Sequence, residues 1–184
     1  MKKNTISCLR LSDFNPKKIT QLNNYSILYF TRGKGFITID FNKIAYQKDS
    51  IFLLSKNQLL NFNYSKKEDG FIIQISPTEI ELLSNHTEFL NHKKLFNYWL
   101  YKPTPLTTKE NFYSIILNLY KECKTNEEVI DLTIIKNTLV GLLLKVYKSY
   151  SFKNSTNKSE VFFNHFKFLV DNNTTRNTLF YAEN

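Results

Sequence analysis

The sequence is poor in the residues that mark specialised protein classes. Its 184 residues include only 4 Gly, 4 Pro and 2 Cys, which excludes collagen-like, low-complexity and disulfide-rich chains. Cys8 and Cys123 lie far apart and form no CxxC pair, so neither a disulfide framework nor a zinc knuckle is predicted. The longest apolar-rich run, residues 138–147, is broken by Lys145 and is too short to span a bilayer. No apolar segment follows the basic N-terminus, which predicts no signal peptide, no membrane partner and a cytoplasmic protein.

Histidine is also scarce, and this argues against a metal enzyme. The three histidines are His86, His92 and His165; none lies on a predicted strand, and no HxH or HExxH pattern occurs. The Gly-Lys-Gly sequence at residues 33–35 lies between two predicted strands, which favours a hairpin turn over a phosphate-binding loop. The sequence therefore predicts no catalytic residue, no metal and no cofactor, and a protein that is not an enzyme.

Aromatic side chains and positive charge are what the chain has in quantity. It contains 16 Phe and 11 Tyr, 42% of its residues are apolar, and its formal net charge is +9. The apolar fraction supports a real core, rich in aromatic rings. Positive charge suits a nucleic acid or another anionic partner. The Lys residues are scattered rather than gathered in one run, however, which favours an ordinary solvated surface.

The first half of the chain predicts β-strands. Short segments rich in aromatic and β-branched residues are separated by turn signals, at a spacing of about 8–12 residues that is typical of a sandwich or barrel. The predicted strands cover residues 25–31, 36–41, 42–46, 50–54, 59–64 and 71–76.

From residue 77 the apolar period changes to that of helices. Ser76 is a candidate N-cap, with Pro77 at the first helical position. A second helix is predicted from Thr108 to about residue 124, with its apolar stripe on one face, and a third over residues 126–150. A polar linker follows, and the last residues predict a helix, a turn and the beginning of another helix.

Two parts of the chain resemble the AraC family of bacterial transcription regulators. Residues 162–170, followed by Arg176 and by Tyr181-Ala182, resemble the opening of that family's DNA-binding domain, up to the second helix of the first helix-turn-helix. The G-x-G turn and the strands that continue to Gln58 resemble the small β-barrel sensor found upstream of it. The resemblance covers nearly the whole chain and implies an α+β fold with a cupin-like barrel, a double-stranded β-helix, followed by helices.

The resemblance also implies how the chain is divided. The expected regions are a cupin-like sensor at 1–84, a helical dimerisation segment at 85–150, a linker at 151–160 and the start of a truncated helix-turn-helix domain at 161–184. The chain ends at Asn184, before either recognition helix, so DNA binding is expected of a full-length regulator and not of this chain alone. Lys167 and Arg176 are the candidate phosphate contacts of an intact domain, although solvated surface residues of the same types are common.

The barrel interior is the candidate ligand site, because a small barrel holds one small molecule among inward-facing side chains. Strand alternation offers two sets, and the set with hydroxyl groups amid apolar walls is preferred over Ser26, Leu28 and Phe30. The candidate ligand-binding residues are Tyr25, Ile27, Tyr29, Thr31, Phe36, Thr38, Leu53 and Ile73. The alternative is that these side chains only fill the barrel, and a slip of one residue would reverse the choice.

The helix at 126–150 is the candidate partner surface. In the family, helices after the sensor pair two subunits, which implies a homodimer here; a dimer reads two half-sites on DNA. The predicted seam consists of Leu132, Ile135, Leu139, Leu142 and Val146. Ile134, Val140 and Leu144 widen the apolar girdle, so the helix is expected to be covered by its own sheet and by a partner. The alternative is packing on its own sheet alone.

The preferred hypothesis is therefore the effector-sensing and dimerisation region of an AraC-type regulator. A second hypothesis is a stand-alone cupin-like module that binds a small molecule and no DNA. A third is a metal-free cupin enzyme such as an isomerase, which would need a polar pocket with an acid or base that the sequence does not indicate.

Overall fold

The computed structural model of the chain describes residues 5–14, 19–61, 69–85, 96, 106–107, 112–125 and 129–149. The chain divides into two compact units, Met1–Tyr150 and Ser151–Asn184. The predicted linker and helix-turn-helix segment fall in the second unit and lie outside the described residues.

The described strands form two antiparallel sheets. Sheet A contains, in spatial order, β1 (Ile6–Arg10), β8 (Asp69–Ile75), β3 (Tyr25–Arg32), β6 (Ser50–Leu54) and β9 (Leu106–Thr107). Sheet B contains β2 (Thr20–Gln21), β7 (Leu59–Asn61), β4 (Gly35–Ile39) and β5 (Asn42–Tyr46). The α+β class is confirmed, whereas the closed barrel is not found, since the described strands belong to two separate sheets.

Four helices complete the described structure: α1 (Leu11–Phe14), α2 (Pro77–Asn85), α3 (Tyr113–Thr125) and α4 (Val129–Ser149). The predicted cap of α2 is confirmed, because Ser76 Oγ accepts a hydrogen bond from the Glu79 amide at 3.2 Å. On α3, Ile116 and Leu119 are fully buried, as is Phe112 just before its first residue, so the helix has an apolar face as predicted.

Sheet A lies between two apolar cores because both of its faces are covered. In the ladders of β3 with β6 and β8, Ile27 is paired with Leu53 and with Ile73. Side chains of directly paired residues share a face, and the next residue along each strand takes the opposite face. One face of sheet A therefore packs on sheet B and the other on the helices.

The inter-sheet core is the apolar cluster between sheets A and B. It consists of Leu11, Leu22, Leu28, Phe30, Ile37, Ile39, Tyr46, Phe52, Leu54, Leu60 and Ile72. The helix-facing core is the larger cluster on the other side of sheet A. It consists of Ile6, Cys8, Ile27, Tyr29, Ile51, Leu53, Phe71, Ile73, Ile75, Ile80, Leu83, Phe96, Phe112, Ile116, Leu119, Ile135, Leu139, Leu142, Leu143 and Val146.

The predicted hairpin at residues 33–35 is wrong. The strand before this turn, β3, lies in sheet A and pairs with β6 and β8, while the strand after it, β4, lies in sheet B. Gly33, with a φ of 101°, adopts a backbone conformation that favours glycine. The turn therefore carries the chain from one sheet to the other.

The return crossing from sheet B to sheet A lies beside the end of β3. Asp49, with a φ of 64°, precedes β6, and its amide donates to the Phe30 carbonyl at 2.8 Å. The Tyr29 hydroxyl donates to Asp49 Oδ1 at 2.8 Å. Burial and the Asp49 carboxylate both raise the pKa of the Tyr29 phenol, so Tyr29 acts as a fixed hydrogen-bond donor that holds the crossing in place.

An aromatic stack fills the inter-sheet core next to Gly35. The rings of Phe30 and Tyr46 are stacked with centroids 3.8 Å apart, and Phe52 meets Phe30 edge-on at 6.2 Å. A Cβ at Gly35 would lie 2.8 Å from the Tyr46 hydroxyl oxygen and 3.1 Å from Cζ. The absence of a side chain at residue 35 is therefore what lets the Tyr46 ring lie flat on Phe30.

We expect Leu139→Ala to lower the free energy of unfolding by about 2–5 kcal/mol, because the side chain is fully buried in the helix-facing core and its removal leaves a cavity. Leu82→Ala on α2 is the matched control, since the Leu82 side chain is 46% exposed; its expected effect is below about 0.5 kcal/mol. Urea denaturation followed by circular dichroism measures both. Equal losses at the two positions would contradict the packing of α4 on sheet A.

Gly35→Ala is expected to cost about 1–3 kcal/mol of stability, because the added methyl group displaces the Tyr46 ring from its stack. The loss should be smaller by at least about 0.5 kcal/mol in a Tyr46→Phe background, which lacks the nearest oxygen. Denaturant unfolding of the four proteins of this double-mutant cycle gives the coupling. A cost that is the same in both backgrounds would show that the ring is not what excludes a side chain at residue 35.

Candidate ligand and partner sites

The predicted ligand-binding set does not face the space between the two sheets. Ile27, Tyr29, Leu53 and Ile73 belong to the helix-facing core, and Tyr25 packs against that core too, with its ring 5.0 Å from that of Phe96. The preferred set, the one with hydroxyl groups, is therefore the wrong choice for the space between the sheets. Leu28 and Phe30, from the set that was not preferred, are the residues that point into that space.

The remaining members of that set lie apart from the inter-sheet core. Phe36 is 60% exposed, and the Lys43 ammonium lies 4.5 Å from its ring centroid. Thr38, which shares a strand face with Phe36, is only partly buried, and so is Thr31. Phe36 and Thr38 therefore belong to the outer face of sheet B, and the eight predicted residues do not form one site.

The predicted dimer seam is also placed differently. Ile135, Leu139, Leu142 and Val146 are buried in the helix-facing core of their own chain, and Leu132 is partly buried. The 3.6-residue period of apolar residues correctly predicted which face of α4 is buried, but that face packs on the chain's own sheet A and not on a partner. These four side chains are consequently not available to a partner.

An outer stripe remains on the opposite face of α4. It is formed by Ile134, Asn137, Gly141, Leu144, Lys145 and Lys148, all of which are exposed. Ile134 and Leu144 are 42% and 36% exposed respectively, and a Cβ at Gly141 would meet no atom within 4 Å. Because these residues recur at steps of three, four and seven, they line one side of the helix.

An ion pair between a buried carboxylate and a partly exposed ammonium joins α2 to α4. Nζ of Lys136 lies 2.9 Å from Oε1 of Glu79, whose side chain is only 3% exposed. Oε1 has no aligned hydrogen-bond partner among the described residues, so the contact is one of charge and not of hydrogen-bond geometry. Removing one partner leaves a charge in a poorly solvated position, which makes rotation of α4 about its axis costly.

Several predictions concern residues about which the structure gives nothing. His86, His92 and His165, like the candidate phosphate contacts Lys167 and Arg176, lie outside the described residues. In the part of the chain that is described, no three His, Cys, Asp or Glu side chains come together as a metal site would require. Nor does any helix in this part combine the length and apolar character needed to cross a membrane.

Some elements of the structure are not predicted from the sequence. They are β1, α1 and β2, which lie before residue 25, and β9. The alternation of buried Ile6 and Cys8 with less buried neighbours is the signal that would have identified β1. The two-residue strands β2 and β9 are too short to carry a period.

Comparison with known proteins gives a structural likeness only. No protein-family model and no curated protein matches the sequence. An apo structure of a ToxT variant from Vibrio cholerae matches with a TM-score of 0.53 and 16% identity, over 95% of this chain and 67% of ToxT. A second ToxT structure gives 0.47, with 21% identity over 94% of this chain and 66% of that one. The AraC-like transcriptional activator CuxR gives 0.37, with 12% identity over 85% and 54% of the two chains.

The first of these matches carries the comparison, since it extends over nearly the whole chain and about two thirds of its counterpart. The resemblance predicted from the sequence thus agrees with the structural likeness. The chain shares its fold with ToxT, an AraC-family transcription regulator.

Proposed function

We propose that this chain is the effector-sensing and dimerisation region of an AraC-type transcription regulator. The fold shared with ToxT supports a regulator region. The observation that carries the dimerisation role is the outer stripe, in which exposed Ile134, Gly141 and Leu144 lie among polar side chains along a 21-residue helix whose other face is fixed in the core. The alternative remains a stand-alone binding module with the same fold and no role at DNA.

The occupant of the outer stripe in this proposal is a second copy of the chain. Acidic Asp131 lies near the N-terminal end of α4, and basic Lys145 and Lys148 lie near the C-terminal end. An antiparallel two-fold pairing centred near residue 139 places Asp131 close to the partner's Lys145, and Ile134 close to the partner's Leu144. A parallel pairing would set like charges side by side, so charge favours the antiparallel arrangement.

Gly141 has a specific part in this pairing. A residue without a side chain on the outer stripe lets two helix backbones approach closely, and open space surrounds its Cα hydrogens in the single chain. The dimer would fix the separation of two DNA-binding domains, which is how a two-fold protein reads two half-sites. DNA binding itself belongs to the full-length regulator, acting in the cytoplasm.

We place the effector site between the two sheets, where the stack of Phe30, Tyr46 and Phe52 would have to move aside to admit a ligand. Apolar and aromatic side chains supply its walls, and the Tyr46 hydroxyl beside Gly35 supplies a polar group. A small, mainly apolar molecule with one polar end fits this chemistry. The cupin-like character of the domain is part of the same proposal.

The dimer is tested by light scattering on the full chain. We expect a particle of twice 21.8 kDa for the wild type, and a weakening of dimerisation by roughly tenfold or more for Ile134→Asp and Leu144→Asp, because a desolvated charge would face the partner. Leu82→Asp is the control, since Leu82 is similarly exposed but lies on α2. A folded wild type that stays monomeric at high micromolar concentration would contradict the dimer.

The regulatory role needs a second readout, because many proteins dimerise without regulating transcription. The full chain is fused to a DNA-binding domain that represses a reporter only when dimeric, and repression is expected to fall with Ile134→Asp but not with Leu82→Asp. Thermal shifts with small apolar compounds, compared between the wild type and Phe30→Leu, test the effector site. If the fusion represses the reporter but no compound shifts the melting temperature, the dimerisation role is supported and the proposed effector site is wrong.

A further inference from the structure

The fold brings together the only two cysteines of the chain. Cys8 lies on β1 and Cys123 in the last turn of α3, and both are free thiols. Cys8 is 3% exposed and belongs to the helix-facing core, while Cys123 is partly buried and packs against that core. The proposed function uses neither residue.

Two contacts fix β1 against α3 at this place. The Arg10 guanidinium, held by Asp69 at 3.0 Å, lies 5.6 Å from the ring centroid of Tyr120. The Cys8 and Cys123 side chains also lie close enough for each residue to affect the pKa of the other. The two cysteines are therefore neighbours where β1 packs against α3.

The register of the two elements agrees with both contacts. Cys8 precedes Arg10 by two residues and shares its strand face, while Cys123 follows Tyr120 by three residues and shares its helix face. The strand and the helix therefore run in opposite directions. This register sets Cys8 opposite Cys123, next to the contact between Arg10 and Tyr120. A disulfide requires Cβ atoms about 3.5–4.5 Å apart, so its formation tests how closely this register sets the two cysteines.

The apolar surroundings favour uncharged forms of both sulfurs. Burial raises the pKa of Cys8, and the neighbouring Cys123 adds to the rise. Burial also raises the pKa of Cys123, to about 11, against the opposing effect of the Cys8 amide. A disulfide carries no charge, so the same core that disfavours a thiolate accepts the oxidised pair.

We propose that Cys8 and Cys123 form a modification site at which peroxide produces an intrachain disulfide joining β1 to α3. Hydrogen peroxide first oxidises the more exposed Cys123 to a sulfenic acid and is reduced to water. The Cys8 sulfur then attacks the sulfenic sulfur, and the leaving hydroxide takes the Cys8 proton to form a second water. Two thiols become one disulfide, and one peroxide becomes two waters.

The bond would tie the edge strand of sheet A to the helix layer across most of the chain. Cross-linking so long a loop restricts the unfolded chain, so the melting temperature is expected to rise by about 5–15 °C. The reaction is slow at neutral pH, because few Cys123 thiols are ionised. Its rate is expected to increase about tenfold per pH unit at pH values below the pKa of Cys123.

The test uses the full chain, treated with hydrogen peroxide and, separately, with a glutathione redox buffer brought to equilibrium. We expect the intact mass to fall by two hydrogen atoms, the thiols titrated in denaturant to fall from two to none, and the chain to remain monomeric on a non-reducing denaturing gel. Dithiothreitol should restore both thiols and the original melting temperature.

Two single-cysteine variants serve as controls. Cys123→Ser keeps a polar atom at a partly exposed position, and Cys8→Ala avoids a buried hydroxyl; neither should lose two hydrogens or gain thermal stability on oxidation. Retention of both thiols at equilibrium with an oxidising glutathione buffer would overturn the proposal. Cross-links found only between chains, or oxygen added to Cys123 without loss of the Cys8 thiol, would overturn it equally.

Discussion

The cover on both faces of sheet A is the constraint on which the rest of the structure depends. Leu28 and Phe52 are buried against sheet B, while the adjacent Ile27 and Leu53 are buried against the helices. Neither face can stay dry unless its own cover is present, because apolar side chains project from both. Sheet B covers one face, and the crossings at Gly33 and Asp49 connect it to sheet A. The helix layer covers the other face, and the Glu79–Lys136 ion pair joins two of its helices.

The same constraint explains what could be predicted from the sequence. The strands and helices were recognisable from period and caps, as Ser76 shows, and so was the α+β class. The choice of inward-facing residues failed because β6 is buried along its whole length. When both faces are covered, Ile27 and Leu28 carry equally apolar signals, and alternation cannot tell one cover from the other. Likewise, the sequence pattern of a G-x-G turn between two strands is the same whether the two strands pair with each other or belong to different sheets.

The partner surface shows a related limit. Helical periodicity identified Leu139 and its neighbours as one continuous apolar face, but a period does not say which molecule covers that face. The chain's own sheet covers it, so the surface left for a partner is the weaker stripe of Ile134, Gly141 and Leu144. Substitutions at Leu139 therefore test folding, whereas substitutions at Ile134 test the proposed association, a distinction that no sequence pattern provides. The close approach of Cys8 and Cys123 was equally beyond reach, since it depends on how β1 lies against α3.

The claim that sheet A and the helix layer form one cooperative structure is tested most directly by native-state hydrogen exchange. If the helix-facing core is shared, amides of α4 around Leu139 should open with the same free energy as those of β3 and β8, namely that of global unfolding. Exchange of α4 at a much lower free energy, with the strands still protected, would mean that the helices detach while the sheet persists. In that case the cover on both faces would not be the condition for folding.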